Sequence, residues 1–168
     1  ANTHNRSFKV LAEVTTEKGA EGVVFAQGAR FGGHSLFLKD GKLRYSYNFL
    51  GIEEQTLDAD LPEPGAHVFG VEFTKEGMDE TSSPTGTMKL YVDDQQAAES
   101  PMRTLLIQYS LCGEGLCVGY DGGDAVSSAY EGSRFPFTGG EIHQVVFDLA
   151  DDQYLDVEKQ LAALMARD

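Results

Sequence analysis

The sequence predicts an all-β protein, built as a two-sheet antiparallel jelly-roll sandwich. Short runs in which apolar and polar residues alternate recur along the chain, as they do in strands with one buried face. Turn signals separate these runs at short intervals, and the chain contains 19 glycines. About ten such runs are present, which is typical of a sandwich. With 168 residues, no repeat and no linker, the chain is long enough for one domain with a substantial core.

The clearest element is a β-hairpin centred on Asp40-Gly41. These residues tolerate the positive φ angles of a type I′ turn, which joins two strands through a two-residue loop. The predicted cross-strand pairs are Lys39 with Lys42, Leu38 with Leu43, Leu36 with Tyr45, and His34 with Tyr47. The face predicted to be buried carries Leu36, Leu38, Leu43, Tyr45, Tyr47 and Phe49. The face predicted to be solvated carries Ser35, Lys39, Lys42, Arg44, Ser46 and Asn48, with Phe37 as an exception.

The other strands are predicted from the same alternation. A strand over 8–14 is expected to end at a Lys18-Gly19 turn, and the next, over 21–27, is apolar on both faces and therefore central. Further strands are predicted over 52–57, 67–73, 87–92, 95–99, 116–120 and 141–149. The last of these has His143, Val145, Phe147 and Leu149 on one face and Ile142 and Val146 on the other, so a second layer has to cover it.

The end of the chain has a different period. Val157, Leu161, Leu164 and Met165 follow helical spacing, which predicts a short C-terminal amphipathic α-helix of about three turns. This helix is one candidate cover for the 141–149 strand. If it leaves part of that strand open, an apolar patch remains, which is typical of a protein–protein contact.

The charge of the chain limits its partners. The formal net charge is −14, and such a field repels nucleic acid and anionic lipid, so neither is an expected partner. Sulfated or phosphorylated polymers would also be repelled unless a bound cation reversed the local sign. No apolar run approaches the length of a membrane span, so no membrane partner is expected.

Two cysteines flank a short glycine-containing loop, Cys112 and Cys117 in LCGEGLC. The loop permits a disulfide between them but does not require one. Two small core residues near a turn are the favoured interpretation. Two thiols are too few for a structural metal site of their own.

One loop has the chemistry of a calcium site. Asp121 and Asp124, with Glu131 nearby, offer the oxygen ligands that calcium prefers, although the spacing of an Asp-x-Asp-x-Asp loop is missing. A solvated acidic loop is the simpler interpretation. No other cofactor is expected.

The remaining candidates favour structural roles over binding or catalysis. His34 lies on the apolar hairpin face and no nucleophile-elbow motif accompanies it, so a hydrogen-bonded core histidine is expected. Tyr45, Tyr47 and Phe49 could stack on sugar rings, but their register predicts the core. A basic cluster at Lys39, Lys42 and Arg44 is either a solvated face or a docking patch for an acidic partner.

Several segments together resemble a known family: GGHSLFLKDGKLRYSYNF, HVFGVEFTKEG, GTMKLYVDD, LCVGYDGGDAVSSAYEG and FPFTGGEIHQVVFDL. They resemble the laminin-G-like, concanavalin-A-like sandwich. The run RFGGHSLFLKDGKLRYSYNFLGIEEQ and the ending LDVEKQLAALMARD are similar to the C-terminal region of bacterial, notably actinobacterial, arylsulfatases.

The resemblance implies that residues 1–168 form a single β-sandwich domain at the C-terminus of a larger sulfatase. Neither cysteine begins the Cys-x-Pro-x-Arg motif of the family's formylglycine site, so no catalysis is expected of this domain. The implied role is an accessory domain that packs against the sulfatase catalytic domain of the same polypeptide. The candidate contacts are Ile142, Val146, Leu161 and Leu164, and self-association of the isolated domain would follow from them. A carbohydrate-binding module is the alternative, and a free-standing glycanase the least favoured.

Overall fold

The computed structural model describes residues 2–106 and 115–150 of the chain. In this part the regular elements are nine strands and one 3₁₀ turn at Ser128–Tyr130. The strands are β1 (Phe8–Ala29), β2 (Gly32–Lys39), β3 (Lys42–Phe49), β4 (Glu53–Asp60), β5 (Gly65–Met78), β6 (Pro84–Val92), β7 (Gln95–Arg103), β8 (Leu116–Val118) and β9 (Thr138–Leu149). The predicted C-terminal helix, with Val157, Leu161, Leu164 and Met165, lies outside the described residues.

Strand β1 belongs to both sheets of an antiparallel jelly-roll sandwich. Its residues 8–16 pair with β5 on one side and with β9 on the other, so the front sheet has the order β9-β1-β5-β6-β7. Its residues 22–29 pair with β2 and, over a short stretch, with β8, so the back sheet has the order β8-β1-β2-β3-β4. The all-β prediction is therefore confirmed.

The crossing between the sheets corrects one prediction. The Lys18-Gly19 turn was expected to separate two strands, but the strand continues through it. Gly19 and Gly22 have φ angles of 80° and 112°, which a residue with a Cβ rarely adopts, and they allow the bend. The two predicted strands are thus one element that changes sheets.

The predicted hairpin is confirmed in its turn and in its register. Asp40 and Gly41 have φ angles of 52° and 73°, as a type I′ turn requires. The four predicted pairs are present between β2 and β3. All six residues predicted on the inner face are buried in the main core, which both sheets line.

The outer face of the hairpin differs from its prediction. Ser35, Ser46 and Asn48, expected in solvent, are buried beneath residues 119–137, which we call the cover segment. Gly119 donates to the carbonyl of Val24, and Val23 donates to that of Phe135, so the cover segment is bound to β1 by backbone hydrogen bonds. Phe37, the exception in the alternation, packs beneath this layer.

A β-bulge in β9 corrects the predicted faces of that strand. Glu13 pairs with Gln144 but Val14 pairs with Ile142, so His143 is the extra residue. The bulge shifts the alternation by one position, because a single inserted residue reverses the direction of the side chains beyond it. Ile142 therefore packs against the main core with Val145, Phe147 and Leu149, and Val146 stays on the outside.

We expect Gly41→Val to lower the free energy of unfolding by about 1–3 kcal/mol, because it places a β-branched residue at positive φ. A Cβ at Gly41 would meet no atom within 4 Å, so backbone strain is the only penalty. Gly77→Val is the matched control, since Gly77 is exposed, its φ is not positive, and the nearest atom to an added Cβ, Thr85 Oγ1, is 4.0 Å away. Equal melting temperatures for the two variants in thermal unfolding would show that the turn tolerates the change.

His67, at the start of β5, lies between two hydrogen-bond acceptors. Its Nδ1 is 2.5 Å from Oδ2 of Asp93, and its Nε2 is 2.6 Å from the carbonyl oxygen of Glu63. An ionised carboxylate and a carbonyl only accept, so both bonds form fully when the ring is the doubly protonated imidazolium. Burial acts to lower the pKa of His67, but the bonds to Asp93 and Glu63 outweigh it and raise the pKa above its ordinary value.

This arrangement predicts that His67 stabilises the fold in acid more than in base. Because the pKa is higher in the folded state, the contribution is fully present below the unfolded pKa of about 6.5 and is lost as pH rises through the folded pKa. Urea unfolding of the wild type and of His67→Gln should show a difference in stability that shrinks with rising pH. A difference that stays constant with pH would contradict the charged ring.

Candidate ligand pocket

Three loops at one end of the back sheet enclose an open pocket of about 690 Å³. The β1–β2 turn contributes Arg30 and Phe31, and the β3–β4 turn contributes Gly51 and Ile52. The cover segment supplies the opposite wall, from Gly123 to Ser128 and from Glu131 to Ser133. A pocket of this size can take a small ligand or a few units of a chain-like one.

Two large apolar side chains form the rim of the pocket. Phe31 is 62% exposed and Ile52 is 75% exposed, the two highest values among the large apolar residues described. A Cβ at Gly51 would lie 3.0 Å from the Phe31 ring, so a glycine there lets the ring approach the β3–β4 turn. The Arg30 guanidinium carbon lies 5.0 Å from the Phe31 ring centre. Exposed apolar groups rimmed by polar ones are typical of binding sites.

A fixed carboxylate forms part of the polar wall. Oε1 of Glu54 accepts from Ser46 Oγ at 2.7 Å, and Oε2 accepts from Ser128 Oγ at 2.6 Å. Burial by itself raises the pKa of Glu54, but hydrogen bonds from Ser127, Ser128 and Ser46 outweigh it and hold the pKa below its ordinary value. The pocket therefore contains a negative charge whose position is fixed by its neighbours.

Two buried polar residues hold the cover segment against the back sheet. Asn48 donates from Nδ2 to the carbonyl of Val126 at 2.9 Å and accepts from the Gly51 amide at 2.9 Å, so it joins two walls of the pocket. Asp121 accepts from the Val126 amide at 3.0 Å and from the Tyr130 hydroxyl at 2.8 Å. The pocket is thus positioned by hydrogen bonds that are shielded from water.

Asp121 and Asp124, the two calcium candidates, differ in burial and in hydrogen bonding. Asp121 is buried, and its Oδ2 is engaged by Val126 and Tyr130, whereas Asp124 and Glu131 are exposed in the pocket wall. In residues 2–106 and 115–150, no group of three or more His, Cys, Asp or Glu side chains could hold a metal ion. Calcium at Asp121 and Asp124 stays a prediction, and thermal unfolding with calcium against sodium tests it.

The structure places the aromatic and histidine candidates in the core, as the sequence predicted. Tyr45, Tyr47 and Phe49 are buried, and the Tyr47 hydroxyl accepts from the Leu105 amide at 2.9 Å. His34 contacts the Tyr45 hydroxyl at 2.9 Å and Gln27 Oε1 at 3.1 Å. Burial lowers the pKa of His34 to about 3, so the ring is neutral.

The basic cluster is matched by acidic residues of β4. Lys42 is paired with Asp60, and Arg44 Nε lies 3.4 Å from Asp58 Oδ1. These residues are direct cross-strand partners in the β3–β4 register. Lys39 donates to the carbonyl of Ala129 in the cover segment. The three cations are therefore used within the domain and do not form a free docking patch.

The proposed partner contacts are separated by the bulge. Ile142 belongs to the core side of β9, while Val146 is 45% exposed and pairs with the exposed Leu11 on the outer face of the front sheet. Leu161 and Leu164 lie outside the described residues. Cys112 also lies outside the described residues, and Cys117 of β8 is a half-buried free cysteine. The favoured interpretation of two small core residues stays a prediction, with the disulfide as its alternative.

The sequence reasoning missed the residues that form the pocket rim. Ile52 is predicted as the first residue of a strand, and no binding role is predicted for either Phe31 or Ile52. A usable signal is present, since each is a large apolar residue next to a glycine.

In the part of the chain that the structure describes, no helix is long and apolar enough to cross a membrane.

No family model and no curated protein matches the sequence. Among solved structures, domains LG4-5 of the mouse laminin alpha1 chain match with a TM-score of 0.58 and 16% identity, over 90% of this chain and 39% of theirs. A heptameric SAP-like pentraxin from Limulus polyphemus matches with a TM-score of 0.50 and 10% identity, over 89% of this chain and 67% of its own. At these identities the similarity concerns the fold, and this chain has the laminin-G-like, concanavalin-A-like β-sandwich fold.

Proposed function

We propose that this domain binds carbohydrate through the pocket at the end of the back sheet. The observation that carries the proposal is the exposed Phe31 ring beside fixed polar groups. A sugar ring has an apolar C–H face and a rim of hydroxyls, so it suits a site with an aromatic surface and directed hydrogen-bonding groups. The core positions of Tyr45, Tyr47 and Phe49 leave Phe31 as the aromatic side chain of this pocket.

The pocket also has a rigid polar wall. Glu54 is bound to Ser46 and Ser128, and Asn48 is bound to Val126 and Gly51, so neither side chain has to be ordered when a ligand arrives. Preorganised groups raise affinity because less conformational entropy is lost on binding. Hydroxyl donors of a sugar would meet the remaining acceptor capacity of the Glu54 carboxylate.

Glycan-array screening followed by calorimetry tests this proposal. We expect Phe31→Ala to weaken binding at least about tenfold, the effect of losing roughly 1.4 kcal/mol of contact. Ile52→Ser should weaken it in the same direction. Met78→Ala is the control, because Met78 is also exposed, at 41%, but does not line the pocket. Unchanged affinity in Phe31→Ala would remove the pocket as the binding site.

We propose in addition that residues 1–168 are a non-catalytic accessory domain of a larger arylsulfatase-like protein, in which sulfate-ester hydrolysis occurs elsewhere. The proposal rests on the resemblance of residues 30–55 to the C-terminal region of arylsulfatases, for which no family model or curated protein gives a match. In the structure, the exposed Leu11 and Val146 pair offers a contact for the catalytic domain of the same polypeptide. In the isolated domain this pair would promote self-association.

We expect Val146→Ser to reduce self-association in analytical ultracentrifugation and Met78→Ser to leave it unchanged. If Met78→Ser reduces self-association and Val146→Ser does not, the surface around Leu11 and Val146 is not the contact.

A further inference from the structure

The polar wall of the pocket is mainly acidic. Glu54, Asp124 and Glu131 line it, and Arg30 is the only cationic residue among the lining residues that the structure describes. The Arg30 guanidinium lies against the Phe31 ring. In residues 2–106 and 115–150, none of the three carboxylates forms a salt bridge. A ligand that enters this pocket therefore meets a net negative charge, three carboxylates against the one guanidinium of Arg30, beside an aromatic surface.

The carboxylates of the pocket wall are not paired with cations, unlike other acidic residues of the back sheet. Asp58 and Asp60 of β4 are paired with Arg44 and Lys42 across the strands. Glu54, on the same strand, is instead held by hydroxyl and amide donors that keep it ionised without neutralising it. The formal net charge of −14 adds a long-range field of the same sign, which attracts cations and repels anionic glycans.

We infer that the pocket selects glycans that carry free, positively charged amino groups, such as polymers of glucosamine. This inference rests on the carbohydrate-binding function proposed above. The sugar face would lie on the exposed surface of the Phe31 ring. The ammonium group would lie between the exposed carboxylates of Asp124 and Glu131, and Glu54 would accept from a hydroxyl. Sulfated and uronic-acid glycans are excluded by the same charges.

Isothermal titration calorimetry with glucosamine tetramer and with its fully N-acetylated counterpart tests the inference. The two ligands have equal length and differ in charge. We expect the glucosamine tetramer to bind at least about tenfold tighter, and the preference to fall to about twofold or less in the double variant Asp124→Asn, Glu131→Gln. Glu99→Gln, an exposed acid of β7 outside the pocket, is the control and should keep the preference.

The outcomes separate this inference from the function on which it rests. If both tetramers bind equally and Phe31→Ala abolishes the binding, the preference for amino groups is refuted and carbohydrate binding by the pocket is retained. Binding of neither tetramer, with no hit among neutral glycans on an array, would overturn both. Tetralysine tests for attraction by net charge alone. If tetralysine binds as tightly as the glucosamine tetramer and Phe31→Ala has no effect on either, the selection by this pocket is refuted.

Discussion

Phe37→Ala is expected to lower the free energy of unfolding by about 3–5 kcal/mol, the usual cost of truncating a buried phenylalanine. The Phe37 ring is 1% exposed and packs edge-to-face on Tyr130, with ring centres 5.1 Å apart. Val23 and Ala26 complete this second cluster beneath the cover segment. Removing the ring leaves a cavity between the back sheet and the cover segment, and the lost contacts are not regained unless the segment collapses into it. Chemical denaturation measures the change.

Phe31→Ala is the matched control for this experiment. Its ring is mostly exposed, so its removal should change stability by no more than about 0.5 kcal/mol. The two variants should thus separate the roles of the two rings, since Phe37 stabilises the fold and Phe31 contacts the ligand. A small effect of Phe37→Ala would mean that the cover segment does not pack on the sheet in solution.

Gly22→Ala should destabilise the domain by about 3 kcal/mol or more, because it combines backbone strain with a clash against main-chain atoms. Gly22 has a φ angle of 112°, and a Cβ there would lie 2.2 Å from the carbonyl oxygen of Pro136. The neighbouring Val23 amide donates to the Phe135 carbonyl at 2.9 Å, so relief of the clash would break the attachment of the cover segment. Thermal and chemical unfolding should both show the loss.

Gly19→Ala isolates the strain from the clash. Gly19 also has a positive φ, of 80°, but a Cβ there would meet no atom within 4 Å. Gly19→Ala should therefore lower the free energy of unfolding by only about 1 kcal/mol. Equal effects of the two alanines would show that the cover segment can move away from β1 without cost. If so, glycan binding by Gly22→Ala should also be unimpaired.

The cover segment links stability to the proposed binding function. Tyr130 is buried against Phe37 and donates to Asp121, while Ser127, Ser128 and Glu131 on either side of it form a wall of the pocket. The bonds of Asn48 to Val126 and Gly51 connect this wall to the β3–β4 turn. A variant that loosens the segment should therefore weaken ligand binding without altering any group that contacts the ligand.

Local patterns in the sequence were sufficient to predict the class of the fold and the register of its central hairpin. Asp40-Gly41 accepts positive φ angles, and a two-residue turn leaves one pairing for the flanking strands. The continuous apolar run from Val23 to Ala26 indicated a strand covered on both faces, and all four residues are buried. These are local properties of backbone conformation and side-chain alternation, so they can be read without knowing what packs against them.

The covered outer faces and the position of the pocket depend on contacts between distant segments, so they are visible only in the folded structure. Ser35, Ser46 and Asn48 alternate like solvent-facing residues, yet they are buried because the cover segment, about a hundred residues from β1, folds over them. The bulge that turns Ile142 inward depends on pairing with β1, and no pattern within β9 marks it. The pocket joins Phe31 of the β1–β2 turn, Glu54 of β4 and Glu131 of the cover segment, which are distant in sequence. Such contacts arise from long-range chain closure, and local alternation contains no information about them.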